Sequence, residues 1–375
     1  MAQKSQVWSN TLWRPQAVGL VDDEVWFIMS VEIPRSESES PPNALGDALS
    51  SSAVTTLYRE YEADLRLAQK ESAADGVVAL TLTDAAGREL PAWTPGAHID
   101  LVLPAPSLTR QYSLSSNPSN RQTWRIGVLR EAKSRGGSQF IHDVLKAGDT
   151  VHVRGPRNHF ALVDAPRYLF IAGGIGITPI LPMIGEVNAR GADWQFLYGG
   201  RRRASMAFLD ELAAYGEQVH IYPEEETGLL PLGSFLATPR NDTLVYCCGP
   251  EPLLVAVEGL CASWPTGSLH FERFKAKAPT ETPPTVPETF EIVLQRSGIT
   301  LTVPRDKSVL EMVESAGLSV LSACREGICG TCETGVIEGE PDHRDSVLTP
   351  AERETAGVMM ICISRSCTPR LVLDL

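Results

Sequence analysis

The chain changes its hydrophobic rhythm twice. From about Leu57 to Val163, short runs alternate apolar with polar residues or are rich in β-branched and aromatic side chains. Gly, Pro and Asn separate VVALTLTD, HIDLVLP, RQYSLSS, WRIGVLRE and DTVHVRGP. A period of two turns one strand face to a core and the other to water, and strands at this spacing predict a small antiparallel β-barrel. From Pro166 the rhythm becomes apolar strand, Gly-rich turn, helix. RYLFIAGG precedes a helix over about Pro179–Ala189, DWQFLYGG one around Ala207–Ala214, and DTLVYCCGP one across Leu253–Ala262. Continuous apolar strands alternating with helices predict an α/β domain with a parallel, doubly wound sheet. The last block, Phe290–Leu375, opens on alternating FEIVLQ and ITLTV and predicts a helix around Val309–Ala316, for an α+β domain.

Two stretches carry no such rhythm. Ser36–Ser52 (SESESPPNALGDALSSS) is rich in Ser, Pro and acid and reads as disordered or linker, while Val21–Val31 could form one strand. Lys275–Thr289 (KAKAPTETPPTVPET) holds prolines that keep the backbone extended, so it reads as a semi-stiff spacer. The expected division is therefore 1–55, an extension partly disordered; 56–163, the barrel; 164–274, the parallel-sheet domain; 275–289, a Pro-rich linker; and 290–375, the last domain.

At 375 residues the chain is long enough for two or three cores, and 43% apolar with 21% charged residues is the composition of a soluble globular protein. A net charge of −13 argues against nucleic acid or an anionic membrane as partner and suits docking on a basic protein surface. No basic start with an apolar run marks a secretory signal, and no stretch approaches a membrane span. The eight cysteines are not spaced as a disulfide framework, which suits the cytoplasm.

Four of those cysteines carry the strongest chemical signal. Cys324, Cys329, Cys332 and, thirty residues further on, Cys362 have the C-x4-C-x2-C…C spacing of a plant-type [2Fe-2S] ferredoxin. Four thiolates must converge on two irons. Three come from one loop only if small residues let its backbone wrap the cluster and aim N–H groups at sulfur, as Gly327, Gly330 and Thr331 permit. A structural zinc site is the alternative, but zinc modules favour two separate cysteine knuckles. Cys367 stays outside the quartet and reads as a free thiol.

The last ~85 residues thus resemble a plant-type ferredoxin, and the two blocks before them resemble a ferredoxin-NADP reductase module. Reductase first and ferredoxin last is the order of the phthalate dioxygenase reductase family, to which vanillate demethylase reductase and the reductase portion of self-sufficient cytochromes P450 are similar. The resemblance covers about residues 57–375 and implies a barrel-like flavin domain, an NAD(P) domain and a β-grasp-like ferredoxin domain.

It also implies site residues. Arg110-Gln111-Tyr112-Ser113 matches the R-x-Y-S flavin motif: the guanidinium neutralises the flavin phosphate, Tyr112 lies against the isoalloxazine, and the Ser113 hydroxyl reaches its reactive nitrogen edge. Arg135-Gly136-Gly137-Ser138 opens the helical run QFIHDVL and matches the second phosphate contact. The domain order implies FMN, with FAD the alternative. His98, in PGAHIDL, matches a family stretch and reads as structural.

Gly173-Gly174-Ile175-Gly176-Ile177-Thr178-Pro179 matches the family's G-G-x-G-x-T-P nicotinamide loop, where the backbone must approach a pyrophosphate closely. Cys248-Gly249-Pro250 ends an apolar strand, and the resemblance puts Cys248 beside the nicotinamide as a positioning thiol, with Glu272 of HFERF near the flavin. Arg201, Arg202 and Arg203 follow the strand WQFLYGG, where Arg201 and Arg203 could hold the 2′-phosphate of NADPH or stand as a solvated face in an NADH enzyme; both cofactors stay open.

The implied protein is a cytoplasmic, monomeric NAD(P)H-dependent oxidoreductase. Electrons run from NAD(P)H through FMN and the cluster to a separate terminal oxygenase, with Arg325 and Glu326 as docking candidates. That oxygenase is of Rieske type, acting in aromatic hydroxylation or O-demethylation, or is a cytochrome P450. A non-catalytic redox sensor or electron-carrier module is the reading from another class.

Overall fold

The computed structural model describes residues 13–17, 27–31, 61–103, 108–132, 136–276 and 287–375. The chain separates into two compact units, Met1–Tyr58 and Arg59–Leu375. In the first, β1 (Trp13–Ala17) pairs antiparallel with β2 (Phe27–Val31), so the strand expected within Val21–Val31 occupies its C-terminal part. The Ser-rich run 36–52 lies outside the described residues, as do residues 277–286 of the Pro-rich linker.

Three sheets build the second unit. The first is antiparallel, in the order β6–β5–β8–β3–β4–β7. Its strands are β3 (Glu62–Ala74), β4 (Val77–Thr83), β5 (His98–Leu103), β6 (Leu108–Ser113), β7 (Trp124–Leu129) and β8 (Thr150–Arg157). The period-two pattern is visible in what they bury: Trp124, Ile126 and Val128 from β7, Leu80 and Leu82 from β4, Leu65 and Leu67 from β3, all in one core. An antiparallel bridge joins Leu114, just past β6, to Ile126 on β7, so strands at the two ends of the order meet. Helix α1 (Gly137–Asp143) adds Ile141 to the same core. Lys70 on β3 ties down the end of α1: its Nζ donates to the carbonyls of Ile141, His142 and Leu145, each at 2.7 Å. A cation there meets the negative end of the helix.

The second sheet is parallel, in the order β11–β10–β9–β12–β13. It comprises β9 (Arg167–Gly173), β10 (Asp193–Gly200), β11 (Val219–Pro223), β12 (Thr243–Cys248) and β13 (Leu269–Glu272). Tyr168 to Ala172 are all buried because both faces are covered. Helix α2 (Ile177–Ala189) packs with Phe170, Phe196 and Tyr198 on one face. On the other, α5 (Leu232–Leu236) and α6 (Glu251–Leu260) pack with Leu169, Ile171 and Val245. Only α3 (Leu209–Leu212) forms in the stretch expected to be helical from Ala207 to Ala214. A 3₁₀ segment follows, broken at Gly216 with φ 59°. The short α4 (Glu224–Thr227) follows β11.

The third sheet has the order β15–β14–β20–β16–β18, with β14 (Phe290–Leu294) parallel to β20 (Arg370–Leu373) and the remaining pairs antiparallel. Its other strands are β15 (Ile299–Val303), β16 (Glu333–Glu338) and β18 (Val358–Met360), and β17 (Pro341–Asp342) pairs separately with β19 (Arg365–Ser366). Helix α7 (Val309–Ser315) buries Val309, Leu310 and Val313 on this sheet and starts at a reciprocal Ser308–Glu311 capping box; α8 (Pro350–Thr355) starts at a Thr349–Glu352 box. Among the described residues no helix is long and apolar enough to cross a membrane.

Candidate functional site

The parallel sheet runs outward from β9 to β10 and β11, then returns to β12 on the other side of β9. The carboxyl ends of β9 and β12 therefore flank a topological switch point, where ligands of open α/β sheets bind. The two loops there interlock through glycine. A Cβ on Gly176 would lie 2.1 Å from the Cys248 carbonyl oxygen, one on Gly173 would lie 2.6 Å from Pro250 Cδ, and one on Gly249 would lie 3.0 Å from the Gly173 nitrogen. Thr178 donates its hydroxyl to the Ile175 carbonyl at 3.0 Å, Tyr198 donates to the Gly174 carbonyl at 3.1 Å, and Pro179 is buried in the first turn of α2. Cys248 is fully buried, and burial pushes its thiol well above the usual range, so it stays neutral.

Beside this switch point a cavity of about 460 Å³ is walled by the first two sheets, their loops and the cysteine loop of the third domain. From the antiparallel sheet come His98, Arg110, Gln111, Tyr112 and Ser113; from the parallel one Ile175, Thr178 and Glu272; from the cysteine loop Cys324, Glu326, Ile328 and Cys329. Gln111 is held by Asp100, to which its Nε2 donates at 2.6 Å, and Arg157 pairs with the same carboxylate at 2.6 Å. Burial raises the Tyr112 hydroxyl above its ordinary value. Gly137 lets the Arg110 side chain lie against the start of α1, since a Cβ there would meet Arg110 Cγ at 3.0 Å and Nε at 3.1 Å. Gly136 caps α1 in the left-handed region at φ 94°, and Ser138 Oγ accepts the Glu131 N–H at 3.2 Å. Arg110 and Ser138 both line the cavity, and the Arg110 side chain lies against the Gly136–Ser138 turn. Arg135 lies outside the described residues.

Ser113 donates its hydroxyl to Glu272 Oε2 at 3.4 Å. Glu272 neighbours Cys248 in the β12–β13 register, so it joins the flavin-motif strand to the switch point. Burial pushes its carboxyl up to about 8, so it holds a proton at neutral pH. His98 moves the other way: burial, then the charge of Arg157, press it down to about 3, and the imidazole is neutral.

All four cysteines of the quartet are buried. Among the described residues no three His, Cys, Asp or Glu gather as the ligands of a single ion; the thiols meet pairwise. Cys324 reaches Cys329 and Cys362, and Cys332 reaches Cys362. The contacts Cys324–Cys329, Cys324–Cys362 and Cys332–Cys362 link the four thiols in one chain, and a two-iron cluster needs four thiolates. The Glu326 N–H donates to Cys324 Sγ at 3.3 Å, and Thr331 Oγ1 sits 3.1 Å from Cys329 Sγ. Gly327 has φ 67° and Gly330 φ 73°, so the loop turns where side chains are strained. A Cβ on Gly330 would lie 2.5 Å from His159 Nε2, which places the cysteine loop directly against the end of the antiparallel sheet.

Arg201 and Arg203 are not brought to the cavity. Arg203 pairs with Glu226 at 2.7 Å, Arg202 faces Asp75 at 3.7 Å, and Arg201 is exposed. The two docking candidates part company: Arg325 is exposed and paired with Glu314 at 2.5 Å, whereas Glu326 faces the cavity. Phe274, Lys275 and Ala276 also line the cavity, and Lys275 pairs with Glu131 at 3.0 Å. Sequence reasoning missed them because it assigned Lys275 onward to the linker; the aromatic residue ending HFERF was the available signal.

Such a site defines an electron-transferring oxidoreductase in which a reductase module and a ferredoxin module share one cavity. Residues 292–367 match the 2Fe-2S iron-sulfur cluster binding domain, which takes in all four cysteines. Over 304 residues the chain is 42% identical to the phenoxybenzoate dioxygenase subunit beta of Ectopseudomonas oleovorans, covering 80% of this chain and 94% of that one. Among solved structures, phthalate dioxygenase reductase, described as a modular structure for electron transfer from pyridine nucleotides to [2Fe-2S], is 36% identical with a TM-score of 0.62. The match covers 84% of this chain and 98% of that one. An intact type IV self-sufficient cytochrome P450 monooxygenase is 46% identical with a TM-score of 0.79, over 84% of this chain but only 41% of that one. The chain belongs to the phthalate dioxygenase reductase family.

Proposed function

We propose that the protein is the reductase component of a multicomponent oxygenase. It takes hydride from NAD(P)H onto FMN and passes single electrons through a [2Fe-2S] cluster to a separate Rieske-type oxygenase acting in aromatic hydroxylation or O-demethylation. One observation carries this: the cavity that holds the flavin-motif residues Arg110, Tyr112 and Ser113 is also walled by Cys324 and Cys329. FMN, when bound, supplies the change from two-electron to one-electron transfer.

This chain's own groups do the rest. Arg110 with Gly136, Gly137 and Ser138 binds the phosphate end, and Tyr112 excludes water from the ring. Protonated Glu272 keeps the Ser113 hydroxyl aimed along the cavity and moves no charge into it. Gly173, Gly174, Ile175, Gly176, Thr178 and Pro179 form the pyrophosphate loop, against which Cys248, Gly249 and Pro250 orient the nicotinamide. Cys324, Cys329, Cys332 and Cys362 hold the cluster.

In domain terms, the bridge from Leu114 to β7 supports reading 56–163 as a closing β-barrel, with 164–274 for NAD(P), 275–289 as spacer and 290–375 as a β-grasp-like ferredoxin domain. Residues 1–55 are an extension, and the protein acts as a cytoplasmic monomer. The high identity to a P450 that carries its own reductase portion favours a P450 acceptor as second reading.

Anaerobic titration of the purified protein with NADH and then NADPH, followed by visible and EPR spectra, tests the reading. Flavin bleaching followed by a reduced-cluster EPR signal is expected. A flavin that stays oxidised with both nucleotides overturns it in favour of a sensor or carrier module. Coupled nucleotide oxidation with purified Rieske or P450 oxygenases then separates the acceptors, and failure with every Rieske partner sinks the first.

A further inference from the structure

Among the described residues of 287–375 one acidic side chain is buried, Asp345, and its carboxylate is fully inaccessible. It lies outside the quartet and outside the cavity, and the reaction proposed above gives it no part. Its neighbours are the three segments that carry the cysteines. A Cβ on Gly327, between Cys324 and Cys329, would lie 3.0 Å from Asp345 Cα and 3.2 Å from its Cβ. The adjacent Ser346 N–H donates to the Gly327 carbonyl at 2.8 Å. Ser364, two residues past Cys362, donates its hydroxyl to Asp345 Oδ1 at 3.5 Å. Glu333, next to Cys332, feels the same charge: burial first, then the carboxylates of Glu352 and Asp345, raise its own carboxyl above the ordinary value.

A carboxylate leaves water only where other groups replace it. Asp345 Oδ2 accepts the N–H groups of Val347 and Leu348 at 3.1 and 2.8 Å, which closes a turn behind the cysteine loop. Arg353 of α8 donates to the Asp345 carbonyl at 2.6 Å and faces the carboxylate at 3.9 Å, and His343 Nδ1 stands 3.6 Å from it. Burial opposes the charge, but the His343 ring, the turn's N–H groups and Arg353 outweigh it and hold the carboxyl below its ordinary value. The Arg353 side chain is 34% exposed, so water screens that cation more than the enclosed anion. Asparagine or serine closes such a turn as well, so the turn does not require the charge.

We propose that Asp345 is a redox-tuning residue: its fixed negative charge, enclosed among the segments that carry Cys324, Cys329, Cys332 and Cys362, lowers the reduction potential of the [2Fe-2S] site. This rests on the cluster reading of the quartet given above. An electron that enters the site adds negative charge, and a like charge held in a low-dielectric interior opposes it. The lowered potential makes the reduced site a stronger donor to the acceptor protein and narrows the drop from FMN.

The test compares the full-length holoprotein with Asp345→Asn, which keeps the size and the acceptor for the turn and removes the charge. The cluster midpoint potential, from an EPR-monitored redox titration, the flavin midpoint potential and the rate of iron loss to a chelator are measured on each. Asp345→Asn is expected to favour the reduced cluster about ten-fold, a positive shift of ~59 mV, with the flavin potential unchanged. Should Asp345→Asn not fold, Asp345→Ser, which offers the turn a hydroxyl and no charge, takes its place with the same expectation. An unchanged or negatively shifted cluster midpoint would overturn the proposal. So would faster iron loss without a shift in the cluster that remains, because Asp345 would then serve only the shape of the loop. An equal shift of the flavin potential would also overturn it, since the effect would not be local to the quartet. A reduced wild-type protein without a two-iron EPR signal takes the cluster reading down as well, and that outcome is visible before any variant is made.

Discussion

Replacing Gly330 by alanine tests the seam between the cysteine loop and the antiparallel sheet, and the structure separates its cost into two parts. Gly330 has φ 73°, and an L-residue in that region costs roughly 1–2 kcal/mol wherever its side chain points. The new Cβ would also lie 2.5 Å from His159 Nε2, 2.6 Å from Cε1 and 2.9 Å from Cδ2, about 1 Å inside ordinary contact. His159 is packed against His98, with ring centroids 6.0 Å apart, and overpacking of this kind costs about 1–3 kcal/mol. The backbone part belongs to the loop alone, while the steric part belongs to the contact between the two halves. A double-mutant cycle with His159→Ala divides them: the double variant keeps the backbone strain and loses the clash. Unfolding of the holoprotein in denaturant, followed separately by flavin and cluster absorbance, should give a coupling of about 1–3 kcal/mol. The rate at which NAD(P)H reduces the cluster should fall in Gly330→Ala and recover in the double variant. Equal destabilisation with and without His159, to within about 0.5 kcal/mol, would refute the contact.

Lys70→Met keeps the packing of the stem but removes three charge-assisted bonds to the end of α1, so it should cost about 2–3 kcal/mol in thermal unfolding and loosen FMN several-fold. An unchanged FMN dissociation constant would uncouple that helix from the phosphate cradle. Glu272 is raised from 4.5 to about 8, so between those values the folded state keeps a proton that the unfolded state releases, and stability falls as pH rises through the window. The carboxyl is part-accessible through the cavity, which limits the effect to a few kcal/mol; Glu272→Gln should flatten the Tm profile between pH 5 and 8, and an unaltered slope would count against the shift. Glu226→Gln frees Arg203 from its ion pair, and kcat/KM for NADPH relative to NADH should rise about ten-fold. No change in that ratio would place Arg203 outside the adenosine site.

Much of this architecture was legible because periodicity reports burial. Alternation along WRIGVL gave β7, and the unbroken apolar run RYLFIAG gave a strand covered on both faces. The helix expected over Ala207–Ala214 did not form beyond Leu209–Leu212, because an apolar pattern cannot report a backbone reversal at Gly216. The motifs held positional information of the same local kind. Gly176 in the loop Gly173–Pro179 is needed because the Cys248 carbonyl comes within 2.1 Å of where a Cβ would stand, a constraint imposed from another strand but written in one string.

What the sequence hid lies between segments rather than within them. Glu272 and Ser113 are 159 positions apart, and no spacing relates them; β13 and β6 come together only once both sheets exist. Arg201 and Arg203 looked alike in a run of three arginines, yet Glu226 in α4, the short helix after β11, engages Arg203 and leaves Arg201 exposed. The cysteine loop shows the same limit most sharply. Its spacing specified the metal chemistry, but not that Glu326 faces the flavin cavity while Arg325 faces away, nor that Gly330 rests on His159. Cys324 and Cys329 consequently form the side of the cluster site nearest the flavin motif. An acceptor that approaches while the loop stays seated must collect electrons from another side, where Arg325 is among the exposed residues.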